Sequence, residues 1–179
     1  IMTTSGAGLY GNFGQTNYSA AKTGLVGLMN TVKLEGDKYN IKVNTIAPVA
    51  ATRLTEDVMP PDMFEKLKPE FVAPLVLYLC TEQCPVSGAI YNAGMGSFNR
   101  VAMVTGPGTV VGDGQEIPNA EQLMSQWDHV TSLKGAKEYQ NVNEQIGDLL
   151  AAFSKPAAPA ESFDRFGAVA DVFDHMPDA

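Results

Sequence analysis

Tyr18 and Lys22 stand four residues apart in a stretch of helical periodicity, so their side chains leave one face of a helix a single turn apart. A free phenol is a weak acid, with a pKa of about 10. An adjacent ammonium favours the phenolate and brings it toward the range in which it can act as acid or base near neutral pH. Tyr18 could then exchange a proton with an alcohol or a carbonyl. Ser5 precedes Tyr18 by thirteen residues, at the mouth of a predicted strand, and its hydroxyl could bond the same substrate oxygen and hold it at the phenol. The remaining ammonium hydrogens of Lys22 would reach the ribose hydroxyls of a nicotinamide cofactor. Tyr-x-x-x-Lys by itself arises easily by chance, and a solvated helix face is its plainest reading. The serine at a strand end, with a glycine-rich turn between, is what separates the two readings.

These residues need elements to carry them. Ile1 to Ser5 read as the end of a buried strand running into a loop with Gly6, Gly8, Gly11 and Gly14. Ala21, Leu25, Leu28, Met29 and Val32 recur at three- and four-residue spacing and predict a helix from about Asn17 to Gly36. Ile41, Val43 and Ile46, stopping at Pro48, predict a second strand. Pro69 to Cys80 predict a second apolar helix, with Pro74 as a local start or kink, and Gly88 to Ala93 a third strand. Strands alternating with helices indicate the α/β class, a parallel sheet covered by helices on both faces.

The pattern changes after Gly96. Val101 to Val104 and Thr109 to Val111 flank Gly106-Pro107-Gly108 and predict a small hairpin. A helix carrying Leu123, Trp127 and Val130 is expected from Asn119 onward, with the single Trp packed on the body. Residues 154–160 have linker composition, and Phe163, Phe166, Val169, Val172 and Phe173 resume amphipathic helical spacing in a second unit over 161–179.

Composition narrows the possible partners. The 179-residue chain is 45% hydrophobic and 18% charged, with a formal net charge of -8, which gives no electrostatic footprint for nucleic acid or an anionic membrane. No apolar run approaches the roughly 18 residues a transmembrane helix needs. Cys80 and Cys84 have no further Cys or nearby His to complete a metal set, so no metal is expected, and they read as thiols in a reducing compartment. His129 and His175 have no carboxylates at ligand spacing and read as surface positions. Met63, Phe64 and Leu67 read as core, or as a surface that grips a substrate chain. Arg53 reads as a surface cation or a contact for a ligand phosphate.

The strings Thr4-Ser5-Gly6-Ala7-Gly8, Gly11-Asn12-Phe13-Gly14-Gln15, Asn17-Tyr18-Ser19-Ala20-Ala21-Lys22 and Gly24 resemble the short-chain dehydrogenase/reductase family over residues 1–98. The resemblance implies the C-terminal half of a doubly wound, Rossmann-like parallel sheet. It makes Tyr18 the general acid/base, Ser5 the substrate-oxygen binder, and Lys22 the residue that lowers the Tyr18 pKa and holds the cofactor. Val43 to Pro48 resembles the family strand that ends beside the nicotinamide, which assigns Pro48, Ala50, Ala51, Thr52 and Arg53 to the cofactor, although Val49 stands where the family has glycine. Within the family, Tyr10 to Gln15, Ile46 to Thr55, Val58-Met59-Pro60 and Leu67 to Val76 look like the (3R)-hydroxyacyl-CoA dehydrogenase units of peroxisomal multifunctional enzymes of type 2 and their bacterial counterparts. Those enzymes also carry an extension, comparable here to residues 99–153. The string Val172 to Pro177 resembles the opening helix of a sterol carrier protein type 2 domain.

The resemblance therefore implies an oxidoreductase fragment that oxidises a secondary alcohol, chiefly a (3R)-hydroxyacyl-CoA, with hydride passing to NAD (or NADP), in a homodimer when full length. A hydroxysteroid dehydrogenase and a non-catalytic lipid-binding or assembly module are the alternatives. The pyrophosphate-binding glycine turn of such folds follows the first strand of the sheet. Gly6 to Gly14 follow the wrong element for that role, so the proton-transfer apparatus is expected without most of the cofactor site, and the chain alone is expected to fold poorly and to be inactive. A bacterial origin would place the protein in the cytoplasm and a eukaryotic one in the peroxisome; Met176-Pro177-Asp178-Ala179 is no peroxisomal address.

Overall fold

The computed structural model describes residues 1–51, 60, 64, 66–112 and 116–154. The chain divides into two compact units, Ile1–Met103 and Val104–Ala179.

The first unit is built on a four-stranded sheet, ordered β1 (Met2–Thr3), β2 (Thr45–Pro48), β3 (Ile90–Gly94) and β4 (Ser97–Val101). β1, β2 and β3 run parallel, with Thr3 opposite Ile46 and Ile46 opposite Tyr91. β4 returns antiparallel to β3. Alternation of side chains along the strands separates two apolar clusters. On one face Val43 and Ile90 pack with Val26 and Met29 of the long helix α2 (Thr16–Asp37), joined by Met2, Leu9, Val32 and Val101. On the other, Ile46 and Ala93 pack with Leu79 of α3 (Ala73–Leu79) and with Val72 and Cys84. A parallel sheet with a helix on each face is the expected α/β, Rossmann-like class.

Local chemistry sets the element ends. α2 closes at a buried Gly36, where a Cβ would lie 3.0 Å from both Cβ and O of Ile41. The chain turns back there through Asn40 at φ 55°. The predicted helix from Pro69 is a 3-10 turn, Pro69–Phe71, followed by α3, with Pro74 in its first turn where no N–H is missed. β2 starts later than Ile41 because side chains replace the ladder ahead of it. Val43 N donates to Ser87 Oγ at 3.1 Å, while buried Asn44 receives Ala89 N at 3.0 Å and donates to Val86 O at 2.8 Å.

Two expectations are corrected. Gly6 to Tyr10 is not open loop but a short helix, α1 (Gly6–Tyr10), because Ser5 caps its N-terminus and Gly11, at φ 82°, ends it. The hairpin lies at Met95-Gly96, not around Pro107. Gly94 pairs with Ser97 across a two-residue turn whose central φ angles are 52° and 76°, the conformation that matches strand twist. Pro107 lacks the N–H a ladder needs, and Thr105 instead exchanges backbone bonds of 2.9 and 3.0 Å with Lys137.

The second unit holds three helices among its described residues: α4 (Ala120–Met124), α5 (Trp127–Thr131) and α6 (Val142–Phe153). The single helix expected from Asn119 is thus broken ahead of Trp127, which is 54% exposed. Asn119 and Gln122 form a reciprocal capping box on α4, and Asn141 caps α6 through Glu144 N at 3.1 Å. Tyr139 donates to Asp148 Oδ2 at 2.7 Å, and Lys137 pairs with the same oxygen. No described helix is long and apolar enough to cross a membrane. The predicted linker from Lys155 onward and the unit over 161–179 lie outside the described residues.

Candidate active site

Three consecutive residues at the end of β1 organise the site. Thr3 offers its carbonyl oxygen to Lys22 Nζ at 2.9 Å. Thr4, 2% exposed, donates its hydroxyl to the backbone oxygen of Lys22 at 2.7 Å. Ser5 accepts from Ala7 N through its side-chain oxygen at 3.2 Å and so caps α1. The cap uses a lone pair of the Ser5 oxygen, and the hydroxyl hydrogen remains able to donate.

Tyr18 and Lys22 occupy the first third of α2, one turn apart as the spacing predicts, with Lys22 Nζ 5.6 Å from the centroid of the Tyr18 ring. Tyr18 is 43% exposed. Here α1 and α2 touch closely. A Cβ on Gly8 would lie 2.8 Å from Lys22 Cβ and 3.0 Å from Thr23 N, and the Thr23 hydroxyl donates to Gly8 O. The end of α1 is fastened in turn to the sheet, where Asn92 Nδ2 of β3 donates to the Tyr10 hydroxyl at 3.1 Å and to Asn99 Oδ1 of β4 at 3.0 Å. Sequence periodicity carried no signal for Thr4, Gly8 or Asn92, because their partners are 18, 14 and 82 residues away.

The segment assigned to the cofactor begins where β2 ends. Pro48 is the last residue of β2 and is half-buried. Val49 replaces glycine without strain: its φ is not positive, its N–H donates to Ala93 O at 2.8 Å, and its side chain is half exposed. Gly94 makes room for it, since a Cβ there would stand 2.6 Å from Val49 O. Ala51 is buried and its N–H donates to Leu67 O at 2.7 Å. Among the described residues, Ala50 therefore holds the one N–H of these three without such a partner. Thr52 and Arg53 lie outside the described residues, as does Met63. Phe64 is half-buried and Leu67 is core.

The residues present fit the ribose and nicotinamide end of a dinucleotide, through an ammonium held beside a phenol and backbone at the end of a parallel strand. They supply no pyrophosphate turn, since Gly6 and Gly8 are used in α1 and in its contact with α2. Among the described residues no group of three His, Cys, Asp or Glu side chains could hold a metal. Cys80 and Cys84 are free thiols, the latter buried. His129 is exposed on α5.

Residues 1–61 match the family model described as short chain dehydrogenase. The chain is similar to a short-chain type dehydrogenase/reductase of Mycobacterium tuberculosis, 51% identical over 137 residues, which are 76% of this chain and 47% of that protein. It is also similar to the peroxisomal multifunctional enzyme type 2 of Mus musculus, 42% identical over 155 residues, or 87% of this chain and 21% of that one. The structure of the full-length peroxisomal multifunctional enzyme type 2 from Drosophila melanogaster superposes with a TM-score of 0.77 at 40% identity, over 88% of this chain and 29% of that one. The chain thus spans less than half the length of these relatives.

Proposed function

We propose that the chain is part of a short-chain dehydrogenase, in which Ser5, Tyr18 and Lys22 carry the proton-transfer apparatus of an oxidoreductase that converts a secondary alcohol to a ketone. The observation behind this reading is Lys22, which stands beside the Tyr18 ring while its ammonium and its backbone carbonyl are both tied to the strand end that presents Ser5.

Ser5 donates a hydrogen bond to the substrate oxygen and fixes its distance from the phenol. Tyr18 accepts the hydroxyl proton as the carbonyl forms and returns it in the reverse direction. Lys22, its ammonium already bonded to Thr3 O, directs its other hydrogens toward ribose hydroxyls. A bound nicotinamide cofactor, NAD or NADP, supplies hydride acceptance. Pro48, Ala50 with its N–H, and Ala51 would hold its nicotinamide end, and the family resemblance assigns Thr52 and Arg53 to it as well.

For the substrate we favour a (3R)-hydroxyacyl-CoA over a steroid. The strings from Ile46 to Thr55 and from Leu67 to Val76 resemble those dehydrogenase units. Similarity to the mouse multifunctional enzyme over 155 residues is moreover too long to be contained in residues 1–98, so it enters the extension. The same reading carries the division at 1–98, 99–153, 154–160 and 161–179, a homodimer for the full-length protein, and a cytoplasmic or peroxisomal setting according to bacterial or eukaryotic origin.

The test is oxidation of (3R)- and (3S)-hydroxyacyl-CoA by the full-length polypeptide, followed by reduced-nicotinamide absorbance with NAD⁺ and with NADP⁺. Turnover of the 3R epimer, cut about 10²- to 10⁴-fold in Tyr18→Phe, is expected. Equal turnover of wild type and Tyr18→Phe would remove Tyr18 from the reaction.

A further inference from the structure

We propose that Thr4 and Gly8 are positioning residues that set the placement of α2, and through it the geometry of Lys22 and Tyr18. The inference rests on the dehydrogenase reading above only for its kinetic consequence.

α2 runs for 22 residues yet buries only Val26, Met29 and Gly36. All three lie C-terminal to Lys22, so apolar packing holds the middle and end of the helix and leaves the turns with Tyr18 and Lys22 without a buried anchor of their own. Polar bonds and one close backbone approach take its place. The buried Thr4 hydroxyl bonds Lys22 O at 2.7 Å, a carbonyl that also lies within the helical ladder, so one backbone atom belongs to helix and strand end at once. Thr3 receives the ammonium of the same lysine at 2.9 Å. From the other side the Thr23 hydroxyl bonds Gly8 O, and the missing Cβ of Gly8 lets α1 sit against Lys22 Cβ and Thr23 N. Thr3, Thr4 and Ser5 thus hold in turn the head of Lys22, its backbone and the first turn of α1. A shift of α2 on β1 would move the proton acceptor relative to Ser5, and misplacements of about 1 Å cost on the order of 10²-fold in rate.

The experiment compares Thr4→Val, which keeps the shape and deletes the hydroxyl, with Thr4→Ser, which keeps the hydroxyl, in the full-length polypeptide. Amide hydrogen exchange of peptides spanning residues 16–26 is measured first, then kcat and KM with a secondary alcohol. Faster exchange in these peptides and a fall in kcat of about tenfold or more, with KM little changed, are expected for Thr4→Val and should revert in Thr4→Ser. Exposed Thr23→Val deletes the reciprocal bond without disturbing a buried site and should move both quantities in the same direction by less, so a Thr4→Val protein that does not fold leaves the test intact. Unchanged exchange in Thr4→Val and Thr23→Val overturns the proposal, as does a loss that Thr4→Ser fails to restore. If wild type oxidises no secondary alcohol, the dehydrogenase reading falls and the exchange comparison alone decides the positioning role.

Discussion

The first unit keeps its shape by depth, the second by surface bonds. In Ile1–Met103, two clusters of buried side chains lie on the two faces of the sheet, and even polar Thr4, Asn44 and Thr45 are enclosed and bonded. From Val104 onward no described residue is buried, and the helices rest on Asn119, on Asn141 and on the Tyr139–Asp148–Lys137 set. A site that needs fixed geometry is found in the first kind of structure, because close-packed interiors transmit small displacements and exposed caps do not.

The sharpest way to break this contrast is to excavate both units alike. Met29→Ala removes a side chain that is 1% exposed and receives the Thr45 hydroxyl at 3.0 Å, and should lower unfolding free energy in urea by about 2–5 kcal/mol. Leu149→Ala, at a residue 51% exposed, should cost well under half as much, and equal losses would erase the distinction. Asn44→Ala comes next, stripping Ala89 N and Val86 O of their partner inside the first unit, for about 1–3 kcal/mol in the same titration. Asn141→Ala should cost about 1 kcal/mol, read as faster exchange confined to α6. A cost spread over both units would show that the second is not locally held.

The smallest effect is on pH dependence. Hydrogen bonding to Asp148 raises the Lys137 ammonium above its ordinary value near 10.5, and hydrogen bonding to Asp148 likewise raises the Tyr139 phenol above 10.0. Both folded values exceed the unfolded ones, so both contributions are present at neutral pH and are lost as pH climbs through the folded values. Far-UV ellipticity of α6 should fall between about pH 10 and 12, and the fall should be shallower in Asp148→Asn. Identical profiles would show that the set contributes nothing.

Residues whose partners are near in sequence, or repeat with a period, were readable in advance. α2 was expected at Asn17 to Gly36 and runs Thr16–Asp37, because its apolar residues recur on one face and glycine marks its end. Tyr18 and Lys22 followed from that period. α1 was not readable as a helix, since two glycines in its five residues suppress helix propensity while the cap comes from Ser5, a residue already given to chemistry. β4 is not legible as a fourth strand of the sheet, and the hairpin is expected around Pro107 instead, because Met95-Gly96 forms a turn that only its left-handed backbone reveals. α6 carries a local signal in its sequence. Asn141 stands three residues before Glu144, and Ile146, Leu149, Leu150 and Phe153 follow at helical spacing. Thr4 and Asn44 were hidden for a different reason, because nothing local to a polar residue in a strand tells which distant backbone atom it will bond.

The capping bond at Ser5 occupies an oxygen to which the proposed reaction gives a second job, and mutagenesis can pull the two apart. Its lone pair holds the first turn of α1 while its proton, in the proposed reaction, would go to the substrate oxygen, so an alanine at this position would confuse a frayed helix with a lost donor. Ser5→Asp would keep an acceptor for Ala7 N while abolishing the donor, and Ser5→Thr would keep both. Ser5→Asp keeps the cap but also adds a negative charge near Lys22, so Ser5→Thr, which keeps cap and donor without that charge, is the reference against which any loss is read.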